Sequence, residues 1–364
     1  MDVLVEARNR LKRCYLGFQE RAESWGSFAG REIRNTYSSQ VPLRQRLEWW
    51  RRGFLTSSMF LYDFDNYDPE DYLNDIQYYK RLKANGDEKT IATHKFVFDR
   101  LLRYTHSEYL PDLYAVIRDG TVLDPEMNVL SNDIGSWVTE TIKPSEKLVF
   151  KPENGNGGND VFIVGYTDSG VTINDEPSKV DDLSGRISDG DYIVTGFVEQ
   201  ADYADELYSD STNTIRVVTF WDYDKNEPYV ADAIHRIGTD ESRPVDNWDN
   251  RGLSAGIDLE RGVLQKATRD PDSPELEWFS EHPDTGAQIE GVEIPYWDKI
   301  CSATCEMADS VWYLPMNAWD VVVTDDGLQI IEGNSRPTLN MMQVHRPLLV
   351  DERNRRFLEH HDIL

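Results

Sequence analysis

At 364 residues the chain exceeds what one ordinary hydrophobic core organises, so two or three closely packed subdomains are expected. Hydrophobic residues make up 39%, with 10 Trp, 18 Tyr and 13 Phe, which excludes a disordered chain. Sixty-six acidic against 38 basic residues leave a formal charge of −28, which excludes electrostatic affinity for nucleic acid or anionic membranes.

No apolar run approaches the ~20 residues of a membrane span, and Met1-Asp-Val-Leu-Val-Glu6 lacks the basic and apolar regions of a signal peptide. A cytoplasmic protein is expected. Only 12 of the bases are lysine, and an acid-rich, lysine-poor chain with a well-stocked core suits a host with molar salt, where screening shortens self-repulsion to about 3 Å. Cys14, Cys301 and Cys305 form an odd set without a histidine partner, so neither a disulfide framework nor a zinc site is expected. No histidine stands in a Ser or Cys nucleophile pattern, which leaves a hydrolase triad unsupported.

Residues 1–84 read as a helical extension. Leu4, Ala7, Leu11, Cys14 and Phe18 recur at helical spacing, as do Leu43, Leu47, Trp50 and Phe54 after Pro42, and Asp68-Pro69-Glu70 opens a further helix. A linker subdomain, 85–145, follows, with a helix from Ile91 through Lys95 and a strand after Tyr109-Leu-Pro111.

In residues 146–198, Lys147-Leu-Val-Phe-Lys151 is a strand that leads into a loop containing Gly155, Gly157 and Gly158, and Val161–Val164 returns. Glycines let backbone amides approach an anion, and the lysine adds the compact charge that phosphate binders use. Taken alone, the stretch is equally a Gly/Asn-rich hairpin with an incidental lysine; the spacing is not that of a P-loop. Tyr192–Gln200 is a further apolar strand.

Residues 199–364 begin with the strands Asn213–Phe220 and Ala231–Gly238. Each carries one arginine, Arg216 and Arg236, and arginine within a strand needs a partner, either a buried carboxylate or a phosphate or substrate carboxylate. Between Gly238 and Trp297, Asp246, Asn247 and Asp258 suit a loop over a site, with Asp258–Gly262 a hairpin turn and His282-Pro-Asp a turn-forming phrase. Trp297–Trp312 reads as a helix that takes Cys301 and Cys305 into the core. Asp320-Val-Val-Val and Leu328-Gln-Ile-Ile are strands joined through Thr324-Asp-Asp-Gly327. Folding that hairpin brings Asp320 level with Glu332 and Asn334, which lie two apart and share a face. Two carboxylates and an amide oxygen suit Mg²⁺ or Mn²⁺, the alternative being an acidic hairpin tip on an already acidic surface. Arg336 follows, and Pro347–Leu364 reads as a closing amphipathic helix.

A strand lysine before a Gly-rich hairpin, with Asp…Glu-x-Asn some 170 residues on, resembles the ATP-grasp superfamily. Asn213-Thr-Ile-Arg-Val-Val-Thr219, Val245-Asp-Asn247, Gly256-Ile-Asp258, His282-Pro-Asp-Thr-Gly286, Ile294-Pro295 and Trp319-Asp320-Val resemble its sugar-transfer-associated branch, over roughly residues 85–355. The resemblance implies an α+β ATP-grasp fold, two α/β lobes clasping ATP beyond the N-terminal extension. It implies that Lys95 and Lys151 reach the nucleotide phosphates. Thr195, Phe197 and Val198 would face adenine through their backbone, with Gln200 or Asp202 near the ribose; the family's Gln-Glu pair is replaced here by Thr195-Gly196.

The chemistry so implied is activation of a carboxylate as its acylphosphate, with Arg216 beside the transferred group and Arg336 on the donor carboxylate. An amine or sugar-linked acceptor then attacks, in polysaccharide or glycoconjugate synthesis. Arg236, Asp246, Asn247 and Asp258 are candidate acceptor contacts. Two other readings stay open at this level. One is a kinase acting on a sugar or polyol hydroxyl, with Asp246 or Asp258 as base. The other is a non-catalytic nucleotide-binding subunit.

Overall fold

The computed structural model describes residues 26, 28–33, 40–155, 160–167, 170–187, 190–271 and 275–364. The chain divides into two compact units, one of residues 1–84, 271–277 and 338–364, the other of 85–270 and 278–337.

In the first unit, Pro42 precedes a helix at Leu43–Arg51. The periodic stretch from Leu4 to Phe18 lies outside the described residues. Asp68-Pro69 does not open a long helix. A reciprocal Asp68–Asp71 cap closes a single turn at Pro69–Asp71, and Tyr72 turns extended to bury its ring with Phe54, Tyr62 and Val344. Gln343 bonds both backbone groups of Leu73, accepting at 2.7 Å and donating at 3.0 Å. Residues 352–360 form the expected C-terminal helix, Glu352–His360.

The second unit opens with helices α1 (Lys89–Thr93) and α2 (Lys95–His106). The helix expected from Ile91 is thus broken at His94, whose extended ψ of 98° lets it bridge Asn154. Strands β1 (Leu113–Arg118), β2 (Thr121–Leu123) and β3 (Val129–Ser131) and helix α3 (Ile134–Thr141) follow. Next come β4 (Lys147–Pro152), β5 (Phe162–Thr167), β6 (Gly170–Ile173), β7 (Glu176–Pro177), α4 (Val180–Ile187) and β8 (Tyr192–Gly196). These eight strands form one antiparallel sheet in the order β3-β2-β1-β8-β4-β5-β6-β7. Trp137 and Val138 of α3 and Leu183 and Ile187 of α4 bury against it.

After α5 (Asp202–Leu207), the strands β9 (Ile215–Asp222), β10 (Glu227–Ile237), β11 (Leu253–Asp258), β12 (Val263–Arg269) and β13 (Trp278–Phe279) lead to α6 (Trp297–Ser310) and the hairpin β14 (Met316–Thr324) and β15 (Gly327–Asn334). They make a second antiparallel sheet ordered β13-β12-β11-β10-β9-β14-β15. The segment between Gly238 and Trp297, expected to fold over the site as a loop with a hairpin turn at Asp258–Gly262, supplies three strands. Asp258 does close the turn expected of it, accepting from the amides of Glu260 and Arg261.

Trp297, Ile300, Ala303 and Met307 recur at helical spacing on α6 and are buried with Phe98 and Leu102 of α2 on one face of this sheet. Each large side chain contributes roughly 1.5–3 kcal/mol. Strand alternation sends Ile215 and Val217, and Trp319, Val321 and Val323, to that face. Arg216 and Asp320 are thereby left on the other. Cys301 packs half-buried against this core, and burial pushes its thiol up to about 12.

Candidate functional site

On the second sheet's other face, register assembles a row of charged side chains. Glu332 of β15 lies opposite Asp320 of β14, and Asp320 lies opposite Arg216 of β9. Strand periodicity alone would put Glu332 on the core side with Leu328 and Ile330. The register slips between Val321↔Ile330 and Asp320↔Glu332, so Ile331 is an extra, bulged residue. This bulge carries Glu332 across to the face of Asp320. It also leaves Gly333 on the core side, where an added Cβ would stand 2.1 Å from Cζ of Phe98. Glycine there lets α2 approach β15, and Lys95 is the first residue of α2.

Asp320, 5% exposed, accepts from Arg216 Nε at 2.8 Å and Nη2 at 2.7 Å, and from Arg236 Nη1 at 3.2 Å. Burial would push its carboxyl up, but Arg216, Arg236 and Lys151 outweigh that and hold it below the usual carboxylate range. Arg236 Nη2 pairs with Asp246 Oδ1 at 2.6 Å, and Asp246 Oδ2 accepts from the amide and hydroxyl of Thr214 at 3.0 and 2.5 Å. Opposite stand two lysines. Lys95 Nζ lies 3.3 Å from Glu332 Oε1 and donates to the Gly155 carbonyl at 2.8 Å. Lys151 Nζ lies 3.4 Å from the carbonyl of bulged Ile331. Burial pushes the Lys151 ammonium down to about 8 despite the pull of Glu332 and Asp320.

The structure thus brings Lys95, Lys151, Gly155, Arg216, Arg236, Asp246, Asp320 and Glu332 together, with Asn334 two residues beyond Glu332. Asn334 Oδ1 accepts from the Arg336 amide at 2.8 Å, and the Arg336 side chain is exposed. Gly157 and Gly158 lie outside the described residues. Thr195 is buried in β8 between Val149 and Leu113, and among the described residues its hydroxyl has no hydrogen-bond partner. The Phe197 amide donates to the Lys147 carbonyl at 3.0 Å, and Val198 follows at the end of the strand.

Gln200 holds a loop rather than facing outward. Its Nε2 donates to Asp205 and to the Tyr208 and Ser211 carbonyls, while Oε1 accepts the Asn213 amide. Asp202 opens α5, exposed. Asn247 stands just before the turn Trp248–Asn250, and Asp258 is four residues along β11 from Ser254, the partner of Arg236. His282 is buried and shapes its own turn, with Nε2 donating to the Gly238 carbonyl at 2.8 Å.

Sequence reasoning missed Phe98, which the Glu-Gly-Asn glycine could have signalled, and the group of His94, Arg118 and Glu153. Four cations, Lys95, Lys151, Arg216 and Arg236, are gathered here among the anions Asp99, Asp246, Asp320 and Glu332, inside a chain of charge −28. Polyanionic phosphates suit such a pocket. Among the described residues no three His, Cys, Asp or Glu side chains stand together as a metal cage. Each of the three expected oxygen ligands has a protein partner here: Glu332 pairs with the Lys95 ammonium, Asp320 accepts from Arg216 and Arg236, and Asn334 Oδ1 accepts from the Arg336 amide.

The chain belongs to the sugar-transfer associated ATP-grasp family, whose model matches residues 74–355. No curated protein matches it in sequence. Among solved structures it is similar to the ADP complex of purK, N5-carboxyaminoimidazole ribonucleotide synthetase, at 12% identity over 71% of this chain and 51% of that one, TM-score 0.38. It is similar to D-alanine–D-alanine ligase from Bacillus anthracis at 14% over 74% and 69%, TM-score 0.36. Against the biotin carboxylase β,γ-ATP complex from Campylobacter jejuni the values are 11% over 74% and 46%, TM-score 0.41. The chain spans about half the length of the first and third of these. Among the described residues no helix is long and apolar enough to cross a membrane.

Proposed function

We propose that the protein is a cytoplasmic ATP- and Mg²⁺-dependent ligase that joins a carboxylate to an amine or sugar-linked acceptor in glycoconjugate synthesis. The observation that carries this is the register that sets Glu332 opposite Asp320, with Lys95 from a distant segment 3.3 Å from Glu332. A donor carboxylate oxygen attacks the γ-phosphorus of ATP, the bond to the bridging oxygen breaks, and ADP leaves. The acceptor amine then attacks the acyl carbon of the acylphosphate and expels phosphate, leaving an amide.

In phosphoryl transfer the protein chiefly positions groups and neutralises charge, so no side-chain nucleophile is required. Lys151 and Lys95 would hold the phosphates. Arg216 and Arg236 would keep Asp320 ionised and in place, and Arg336, exposed next to Asn334, would meet the donor. A divalent ion held by Glu332, Asp320 and Asn334 would neutralise charge on the β- and γ-phosphates. The kinase reading has less support, because Asp246 is committed to Arg236 and Thr214 and Asp258 to its own turn.

The test is an ATPase assay in molar KCl, as the charge of −28 recommends, with pooled carboxylates, amines and nucleotide sugars. Amine-dependent release of free phosphate supports the ligase. Label retained on a sugar replaces it with the kinase, and ATP binding without turnover replaces it with a non-catalytic subunit.

A further inference from the structure

A buried carboxylate outside the row of charges joins every segment that carries a phosphate-facing lysine. Glu153 is 1% exposed and lies two residues beyond Lys151. Its Oε1 forms an ion pair with Arg118 at the end of β1, and its Oε2 is 3.2 Å from Nε2 of His94, the residue that breaks α1 from α2. Its own backbone completes the junction. The Glu153 carbonyl accepts from the Lys95 amide at 3.0 Å, and its amide donates to the Asp191 carbonyl, just before β8, at 2.9 Å. The adjacent Asn154 bridges His94, and Gly155 takes the Lys95 ammonium. Among the described residues the other His94 ring nitrogen has no hydrogen-bond partner, and Glu153 is the side chain that holds Nε2.

A carboxylate this enclosed is costly unless its partners repay it, and cores lacking such groups fold well. Its retention at the meeting point of four segments calls for a reason beyond stability. We infer that Glu153 is the positioning residue that sets Lys95 and Lys151 at the spacing of a nucleotide's phosphates, acting through His94 and Arg118 at the base of the glycine loop. Arg118 alone would not do this, because its other acidic neighbour, Asp191, is 3.7 Å away and half exposed. Without the negative charge, His94 loses its orienting partner, the start of α2 is held to β4 by backbone contacts alone, and the spacing of the two ammonium groups loosens. The base end of a nucleotide, which neither lysine reaches, would bind as before.

This inference rests on the proposed nucleotide reading, and the experiment separates the two. Binding of Mg²⁺·AMP-PNP and of adenosine is measured by calorimetry for the wild type, Glu153→Gln and His94→Asn, each checked by its melting temperature. The expected result is a loss of about tenfold or more in AMP-PNP affinity for both variants with adenosine affinity unchanged. A purely architectural Glu153 would weaken both ligands together or neither, and either outcome overturns the inference. A wild type that binds no AMP-PNP overturns the nucleotide reading itself.

Discussion

Asp320 and Glu332 face each other across one hairpin, yet their replacement is expected to have very unequal consequences for stability. Asp320 is 5% exposed and receives three hydrogen bonds from two guanidinium groups at 2.7, 2.8 and 3.2 Å. In Asp320→Asn, Arg236 keeps Asp246, whereas Arg216 loses the carboxylate that accepted two of its donors. Breaking a buried ion pair from one side costs about 3–5 kcal/mol. An asparagine oxygen retains part of the hydrogen bonding, which places the expected cost near 3 kcal/mol. At roughly 2–4 °C per kcal/mol for a unit of this size, the melting temperature should fall by about 6–12 °C. The Glu332 side chain is 33% exposed and meets Lys95 through one contact at 3.3 Å, so Glu332→Gln should change stability by less than about 1 kcal/mol. Both variants should lose Mg²⁺-dependent turnover. The assay is thermal or urea unfolding of both proteins beside ATP hydrolysis. An Asp320→Asn protein melting within about 2 °C of the wild type would mean that the arginines are solvated without their carboxylate, and the electrostatic reasoning would be wrong.

Lys151 gives a pH signature. With its ammonium at about 8 when folded against 10.5 ordinarily, the unfolded chain binds a proton that the folded chain lacks between those values. Stability from this group therefore rises with pH across that window, while below about 8 the buried charge is a constant cost. ATP affinity should fall as pH rises through about 8, and binding near pH 8.5 should take up a proton, seen by calorimetry in two buffers of different ionisation enthalpy; Lys151→Met should abolish both effects. Gly333→Ala forces a Cβ to 2.1 Å from the Phe98 ring. It should cost about 1–3 kcal/mol in urea unfolding, with part recovered in the Gly333→Ala/Phe98→Leu double variant; strict additivity would show that ring and glycine do not meet. Gln200→Ala should destabilise by about 1–3 kcal/mol and leave ATP affinity unchanged, because its amide is committed to the loop from Asp205 to Asn213. A matching loss of affinity would return Gln200 to the ribose.

Much of the fold was legible because its signals are local. Asp-Asp-Gly turned between two β-branched runs where expected, α6 followed its apolar spacing, and Asp258 and His282 each built a turn from their own neighbours. Where expectation failed, a distant partner outweighed the local pattern. His94 leaves the helix to bridge Asn154, and the polar segment after Gly238 becomes strands because β10 offers it an edge.

The sequence by itself determined that Glu332 and Asn334 share a face and that a lysine precedes a glycine loop, since strand period and turn chemistry act over a few residues. Only the tertiary structure decided that the face is that of Asp320, because a one-residue bulge at Ile331 reverses the side to which Glu332 points. It also decided that Arg216 and Arg236, 104 and 84 residues from Asp320, hold that carboxylate. The physical reason is that an ion pair between strands depends on sheet order and register. Those are chosen by the packing of the opposite, apolar face, which no short stretch of sequence contains.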